Sequence, residues 1–224
     1  NAPFIVCKDA NLNDALDGAM LAKMRNSGEA CTAANRFYVH KDIYGPFTDG
    51  MVKRMSAIKL GEATDPESTL GPMVNEKSVA KIAELVDDAV AKGAKLLLGG
   101  QRLNRPGYYY PPTVLSDVPD NAAMMKEEIF GPVVSLQSFE DEAEAIAKAN
   151  DTEYGLAAYV YTQDLKRGMQ ICEKLEAGML GLNRGLMSDP AAPFGGVKQS
   201  GLGREGSHHG LIEFCEIKYV STNW

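Results

Sequence analysis

Short apolar runs alternate along the chain with longer segments of helical periodicity. The apolar runs predict strands over residues 4–6, 36–40, 95–98, 108–115, 133–139, 157–162 and 179–183. The periodic segments predict helices over residues 12–26, 44–57, 76–92, 141–150 and 164–175. Strands that alternate with helices of this length form βαβ units. We therefore expect an α/β fold with a mostly parallel twisted sheet flanked by helices.

The pattern changes in the last part of the chain. Residues 188–210 are rich in glycine and are predicted to form a loop. Residues 216–221 are predicted to form a final strand, which the loop separates from the other predicted elements. We expect this strand to pair with another domain or another subunit.

The amino-acid composition limits the classes of protein to which this chain can belong. The 224 residues are 45% hydrophobic and 24% charged, as in a soluble globular protein with one sizeable core. The net charge of −7 argues against a nucleic-acid partner, which requires a basic face. The sequence contains neither an apolar run of membrane-spanning length nor a signal-peptide pattern, which favours a cytoplasmic protein without a membrane partner. The chain opens without Met on an apolar run, which predicts a fragment cut at a domain edge.

Cysteine and histidine usage gives one candidate nucleophile. The four cysteines show no CxxC pair and only three histidines accompany them, which argues against a metal site. Cys31 follows a helix that ends at Gly28, in a turn ahead of a strand. Such a turn can expose a thiol and direct backbone N–H groups at an oxyanion, and Arg25 would favour the thiolate. On spacing alone, a buried, inert cysteine at a helix end is the favoured interpretation.

Two further segments have both a functional and a structural interpretation. Glu128 and Phe130 stand just before a Gly-Pro break and a strand. The carboxylate could bind a ligand hydroxyl beside the aromatic ring, or belong to a solvated acidic turn. The glycine-rich residues 193–206 match no phosphate-binding motif, and their glycines suit a loop packed closely against another backbone.

Taken together, four landmarks resemble the aldehyde dehydrogenase superfamily over essentially the whole chain. They are Asn-Ala-Pro at residues 1–3, Gly-Glu-Ala-Cys at residues 28–31, Glu-Glu-Ile-Phe-Gly-Pro at residues 127–132, and Pro-Phe-Gly-Gly at residues 193–196 followed by Ser-Gly. The glycine-rich residues 193–207 resemble those of succinate-semialdehyde dehydrogenases in particular. The resemblance implies the catalytic domain of an enzyme that oxidises aldehydes to carboxylic acids.

The resemblance also implies roles for individual residues. Cys31 attacks the aldehyde to give a thiohemiacetal, hydride passes to NAD or NADP, and the thioester is hydrolysed. The backbone N–H of Cys31 contributes to the oxyanion hole. Glu128 binds the nicotinamide ribose hydroxyls, Phe130 packs beside that end of the cofactor, and Phe194 forms a wall of the aldehyde tunnel.

A substrate with a second, terminal carboxylate is implied by the succinate-semialdehyde-like features. Arg25 matches the substrate arginine of that subfamily and Ser188 its carboxylate-binding serine. Arginine grips a carboxylate through two parallel hydrogen bonds, which suits this role. The expected substrate is succinate semialdehyde, with glutarate semialdehyde or another ω-carboxylated aldehyde as the alternative.

Parts of the family's machinery fall outside this sequence. The general-base glutamate belongs to a Glu-Leu-Gly-Gly run that leads into Asn1, and the dinucleotide-binding domain is absent as well. We therefore expect residues 1–210 to form the nucleophile-bearing domain and residues 211–224 an oligomerisation strand of a homodimer or homotetramer. The cofactor is expected to bind mainly to the absent domain. An alternative is an inactive fragment with at most thiol-esterase activity.

Some members of the subfamily carry a redox-switch cysteine two residues after the nucleophile. Ala33 occupies that position here, so we predict no such disulfide.

Overall fold

The computed structural model describes residues 1–223, which contain nine strands and six α-helices. The strands are β1 (Ala2–Val6), β2 (Ala34–His40), β3 (Lys95–Leu98), β4 (Thr113–Ser116), β5 (Val133–Phe139), β6 (Tyr154–Gly155), β7 (Ala157–Tyr161), β8 (Met179–Leu182) and β9 (Val197–Lys198). The helices are α1 (Leu12–Met24), α2 (Lys41–Ser56), α3 (Glu76–Ala91), α4 (Glu142–Asn150), α5 (Leu165–Lys174) and α6 (Ser207–Ile212). Short 3₁₀ turns cover Arg25–Gly28 and Ala123–Met125.

Seven strands form one sheet in the order β3-β4-β5-β2-β1-β7-β8. All neighbours in it are parallel except the edge strand β3, which is antiparallel to β4. The strands β6 and β9 form a separate antiparallel pair. The expected α/β fold with a mostly parallel sheet is therefore confirmed.

The sheet separates two apolar layers, because successive side chains of a strand point to opposite faces. Phe4 and Phe37 contribute to the layer covered by α1 and α2. Ile5 and Tyr38, one residue further along the same strands, contribute to the layer covered by α3, α4 and α5. Both faces of the central strands β1 and β2 are buried, which explains their continuous apolar sequence.

Side-chain caps explain where several helices begin. The side chain of Asn11 accepts hydrogen bonds from the N–H groups of Asn13 and Asp14 at the start of α1. Asn75, Asp141 and Asp164 cap α3, α4 and α5 in the same way. Each of these short polar residues stands directly before its helix in the sequence.

The region after residue 188 differs from the prediction in three respects. It contains β9 and α6 rather than loop alone, and α6 crosses the expected division between residues 210 and 211. Residues 216–221 do not form the predicted strand in the single chain. A strand needs a neighbour for its backbone hydrogen bonds, and residues 1–223 supply none to this segment. Trp224, the last residue of the expected oligomerisation strand, lies outside the described residues.

A smaller correction concerns residues 108–115. The regular strand β4 begins only at Thr113, after Pro111 and Pro112. Proline lacks the N–H that a sheet ladder needs, so pairing starts beyond the two prolines.

Across residues 1–223, no helix combines the length and the apolar character needed to cross a membrane.

Candidate active site

An open cleft lies at the amino-terminal edge of the parallel strands. Asn1 directly precedes β1, Cys31 lies shortly before β2, Glu128 before β5 and Leu156 before β7. The amino ends of parallel strands meet at one edge of a sheet, so four segments distant in sequence converge here. The cleft is open to solvent and is lined by Asn1, Cys31, Glu128, Tyr154, Leu156, Gln199 and Ser200.

The loop that carries Cys31 has an unusual backbone. The helix α1 ends at Met24, and the next residues include Asn26, Ser27 and Gly28 with φ values of 51°, 60° and 79°. The N–H of Ala33 then donates to the carbonyl of Ala30 at 2.9 Å, which closes a tight turn. Cys31 sits inside this turn and is exposed, so the alternative of a buried cysteine at a helix end is wrong.

The backbone N–H of Cys31 is available to a ligand. Within residues 1–223 no hydrogen bond uses it, nor the N–H groups of its neighbours Ala30 and Thr32, whereas those of Glu29 and Ala33 are engaged. An unengaged N–H next to an exposed thiol can donate a hydrogen bond to a bound ligand.

Thr32 anchors the Cys31 turn from the buried side. Its carbonyl accepts a 2.7 Å hydrogen bond from the hydroxyl of Tyr159 in β7. Its own hydroxyl accepts a 3.2 Å hydrogen bond from Nη2 of Arg25. The predicted substrate arginine therefore lies against the residue that follows the predicted nucleophile.

The segment with Glu128 and Phe130 contacts the Cys31 loop directly. A Cβ atom on Gly28 would lie 2.2 Å from the carbonyl oxygen of Gly131, so the two backbones touch. Phe130 has a φ of 55°, which turns the chain between Glu128 and β5. Nζ of Lys81 in α3 donates to the carbonyl of Glu128 at 2.6 Å. The Glu128 side chain is half-buried and lines the cleft.

A fully buried lysine lies close to this site. Nζ of Lys23 donates to Oδ1 of Asn35 at 2.9 Å, and Nδ2 of Asn35 donates to Oδ1 of Asn1 at 3.3 Å. Burial lowers the pKa of Lys23 to about 7, although the charge of Glu128 opposes the shift. No local pattern in the sequence pointed to this lysine, because its neighbours come from three separate segments.

The glycine-rich residues 193–206 pack closely on the rest of the fold, as their composition predicted. A Cβ atom on Gly178 would lie 2.1 Å from the carbonyl oxygen of Gly195. Ser200 accepts a 3.0 Å hydrogen bond through Oγ from the N–H of Gly155. Phe194 pairs with Glu205 through two backbone hydrogen bonds of 2.7 and 2.8 Å and is half-buried.

The structure brings only two of the six predicted site residues into the cleft. Cys31 and Glu128 are among its lining residues, whereas Arg25, Ser188, Phe130 and Phe194 are not. Ser188 is exposed on the segment after β8.

Five of the seven residues that line the cleft have no role predicted from the sequence: Asn1, Tyr154, Leu156, Gln199 and Ser200. Asn1, Gln199 and Ser200 belong to segments that carry the family resemblance, whereas Tyr154 and Leu156 carried no signal.

The described residues contain no cluster of three or more His, Cys, Asp and Glu side chains that could hold a metal ion.

These features define an α/β domain that presents an exposed cysteine to an open cleft at the sheet's amino edge. A family model described as "Aldehyde dehydrogenase family" matches residues 1–220. The chain belongs to the aldehyde dehydrogenase family.

Known relatives are similar to this chain in sequence and in structure. A succinate-semialdehyde dehydrogenase of Paenarthrobacter nicotinovorans is 51% identical over 220 residues, which are 98% of this chain and 49% of the relative. A glutarate-semialdehyde dehydrogenase of Pseudomonas putida is 49% identical over 98% of this chain and 45% of the relative. The crystal structure of an NADP-dependent enzyme of E. coli superposes with a TM-score of 0.96 at 49% identity, covering 98% of this chain and 46% of that one. The chain thus spans about half the length of the relatives it matches.

Proposed function

We propose that the whole protein oxidises an aldehyde to a carboxylic acid with NAD or NADP, and that this chain supplies the nucleophile, Cys31. The observation that carries the proposal is the exposed Cys31 thiol, with an unengaged backbone N–H, in the same cleft as Glu128. Membership of the aldehyde dehydrogenase family supports it.

In the proposed reaction, Sγ of Cys31 attacks the aldehyde carbon and forms a thiohemiacetal. The N–H of Cys31 donates to the oxygen as it becomes negative, and the hydrogen bonds of Thr32 keep the turn in place. The nicotinamide, when bound, would supply the acceptor for hydride. Cys31 then holds the acyl group as a thioester until water releases the acid. We assign the general base for that step to the segment that precedes Asn1 in the whole protein.

The residues of the cleft fit a nicotinamide ribose. Within residues 1–223 the carboxylate of Glu128 accepts no hydrogen bond from the protein, so both of its oxygens can accept from ribose hydroxyls. Phe130 follows two residues later, and we assign it to packing beside the cofactor. We assign most of the cofactor's binding surface to a dinucleotide-binding domain outside this chain.

We further propose succinate semialdehyde as the substrate, with Arg25 and Ser188 binding its carboxylate and Phe194 forming a wall of the aldehyde tunnel. The contact of Arg25 with Thr32, next to Cys31, supports a cation near the reacting carbon. Glutarate semialdehyde is the alternative, since relatives named for each substrate are about equally similar to this chain.

The test compares kcat/KM for succinate semialdehyde and for butyraldehyde in the whole protein. A hydrogen-bonded cation should favour the charged substrate by about 10- to 150-fold, the equivalent of about 1.5–3 kcal/mol. Cys31→Ala should abolish turnover of both. Equal kcat/KM values would overturn the roles of Arg25 and Ser188, and full activity of Cys31→Ala would overturn the nucleophile.

A second candidate function concerns the chain in isolation. Its exposed thiol and free N–H require no dinucleotide to open an activated ester. We expect slow hydrolysis of an aryl ester and no aldehyde oxidation when the chain alone is given NAD or NADP. Aldehyde turnover by the chain alone would contradict the need for a further domain, and loss of esterase activity in Cys31→Ala would assign it to this site.

A further inference from the structure

Thr32 joins two side chains that the proposed mechanism treats separately. It is 3% exposed and lies between Cys31 and Ala33 in the tight turn. Its carbonyl accepts from Tyr159, and its hydroxyl accepts from Arg25. One residue therefore connects the interior of the sheet to the guanidinium beside the nucleophile.

The interior end of this connection is rigid. Tyr159 is buried in β7, pairs with Phe4 of β1 in the sheet register, and lies with its ring 5.6 Å from the Phe4 ring. Burial raises the pKa of Tyr159 to about 12, so its hydroxyl remains a donor at neutral pH. The position of Thr32 is thus fixed relative to the central strands.

The other end is free to bind a ligand. Arg25 is exposed, and within residues 1–223 its side chain forms no ion pair and only the one hydrogen bond to Thr32. Guanidinium has five N–H donors, so this bond leaves most of them for a carboxylate. A long exposed side chain otherwise samples many rotamers, and fixing it on binding weakens affinity.

We propose that Thr32 is a positioning residue that holds the Arg25 guanidinium beside the Cys31 turn and thereby sets selectivity for aldehydes with a terminal carboxylate. The proposal rests on the proposed function, in which Arg25 binds that carboxylate. The hydroxyl acts through Arg25 and does not touch the substrate itself.

The test uses Thr32→Val and Thr32→Ser in the whole protein, with succinate semialdehyde and butyraldehyde as substrates. Val keeps the shape of Thr but cannot accept from Arg25, whereas Ser keeps the acceptor. We expect Thr32→Val to lower the ratio of the two kcat/KM values about three- to tenfold, the usual worth of one hydrogen bond, mainly through KM for the charged substrate. Thr32→Ser should restore most of the ratio.

An unchanged ratio in Thr32→Val, or an equal loss in Thr32→Ser, would overturn the proposal. Thr32→Ala against Thr32→Ser gives the same contrast should Thr32→Val fail to fold. Arg25→Met distinguishes the role of Arg25 from that of Thr32. If Arg25→Met keeps the ratio, the role of Arg25 in the proposed function fails. If Arg25→Met loses the ratio and Thr32→Val keeps it, only the role of Thr32 fails.

Discussion

Gly28 and Gly131 meet backbone to backbone: a Cβ on the first would lie 2.2 Å from the carbonyl oxygen of the second. Gly28 stands three residues before Cys31, and Gly131 stands three residues after Glu128. The contact therefore sets the relative position of the two predicted site residues that share the cleft. It also requires glycine at position 28, where φ is +79°.

Replacing Gly28 by Ala should destabilise the chain. The left-handed backbone costs roughly 1–2 kcal/mol for any residue with a Cβ, and the overlap with Gly131 adds to this. We expect a fall of at least about 2 kcal/mol in the free energy of unfolding, measured by urea denaturation.

Gly45→Ala provides the matched control. Gly45 lies exposed in α2 with nothing within 4 Å of an added Cβ, so Ala should be neutral or stabilising there. Equal effects of the two substitutions would show that the contact with Gly131 does not constrain the fold.

The four cysteines should differ sharply in reactivity. Cys31 and Cys215 are exposed and should react rapidly with iodoacetamide, with Cys172 slower. Burial raises the pKa of Cys7 from 9.0 to about 12, which lowers its thiolate fraction about a thousandfold. Mass spectrometry of the folded chain should find Cys7 unmodified, while all four react in guanidinium. Labelling of Cys7 at the rate of Cys215 in the folded chain would contradict its burial.

Lys23 should make stability depend on pH between 7 and about 10. Its pKa falls from 10.5 to about 7 on folding, so in this window the unfolded chain binds more protons than the folded chain. Stability contributed by this group therefore rises with pH, by at most about 1.4 kcal/mol per pH unit, and is constant below pH 7.

Lys23→Met isolates this effect, because Met is similar in size and does not titrate. We expect the unfolding free energy of Lys23→Met to show a flatter pH dependence than the wild-type chain over pH 7–9. The Cys7 thiol also titrates near pH 9 in the unfolded chain, but it is present in both proteins, so its contribution cancels in the comparison. Parallel pH profiles would mean that Lys23 stays charged in the fold.

The exposed end of the chain should control self-association. Phe214 and Ile217 are each 92% exposed, and Tyr219 is 87% exposed. An apolar extended segment of this kind is a template for pairing with another chain. We expect the intact chain to elute from a sizing column at a larger apparent mass than a chain cut after Glu213.

The cut follows Glu213 because α6 ends at Ile212, and Oε1 of Glu213 accepts from the N–H of Arg204. Substituting Phe214 and Ile217 by Ser should reproduce the effect of the cut, whereas Lys218→Ser should not. Identical elution of all these variants would remove the segment from any interface.

The sequence predicted the regular elements well, because each was bounded by a local signal. Periodicity and capping residues such as Asn11 and Asn75 act over a few positions and can be read directly. The two-residue strands β6 and β9 and the short helix α6 were missed, since they are shorter than the periods used to detect them.

The residues that line the cleft were harder to predict from the sequence. Cys31 and Glu128 were found through motifs, but Tyr154 and Gln199 reach the cleft together only because β6 pairs with β9. The hydrogen bond from Tyr159 to Thr32 spans 127 residues and leaves no trace in local pattern. Long-range contacts of this kind follow from the strand order, which the alternation of elements does not specify.

The location of the cleft also fixes the electrostatics of its surroundings. Helices return antiparallel to the strands, so α1 and α4 direct their carboxyl ends, which carry partial negative charge, toward this edge. Arg36 and Lys198 donate to the last carbonyls of α4, and Arg25 stands at the end of α1. The helix macrodipoles here repel a thiolate and a carboxylate alike. Arg25, Arg36 and Lys198 therefore place positive charge at these helix ends, and that charge offsets the partial negative charge that would otherwise repel an anion bound at this edge.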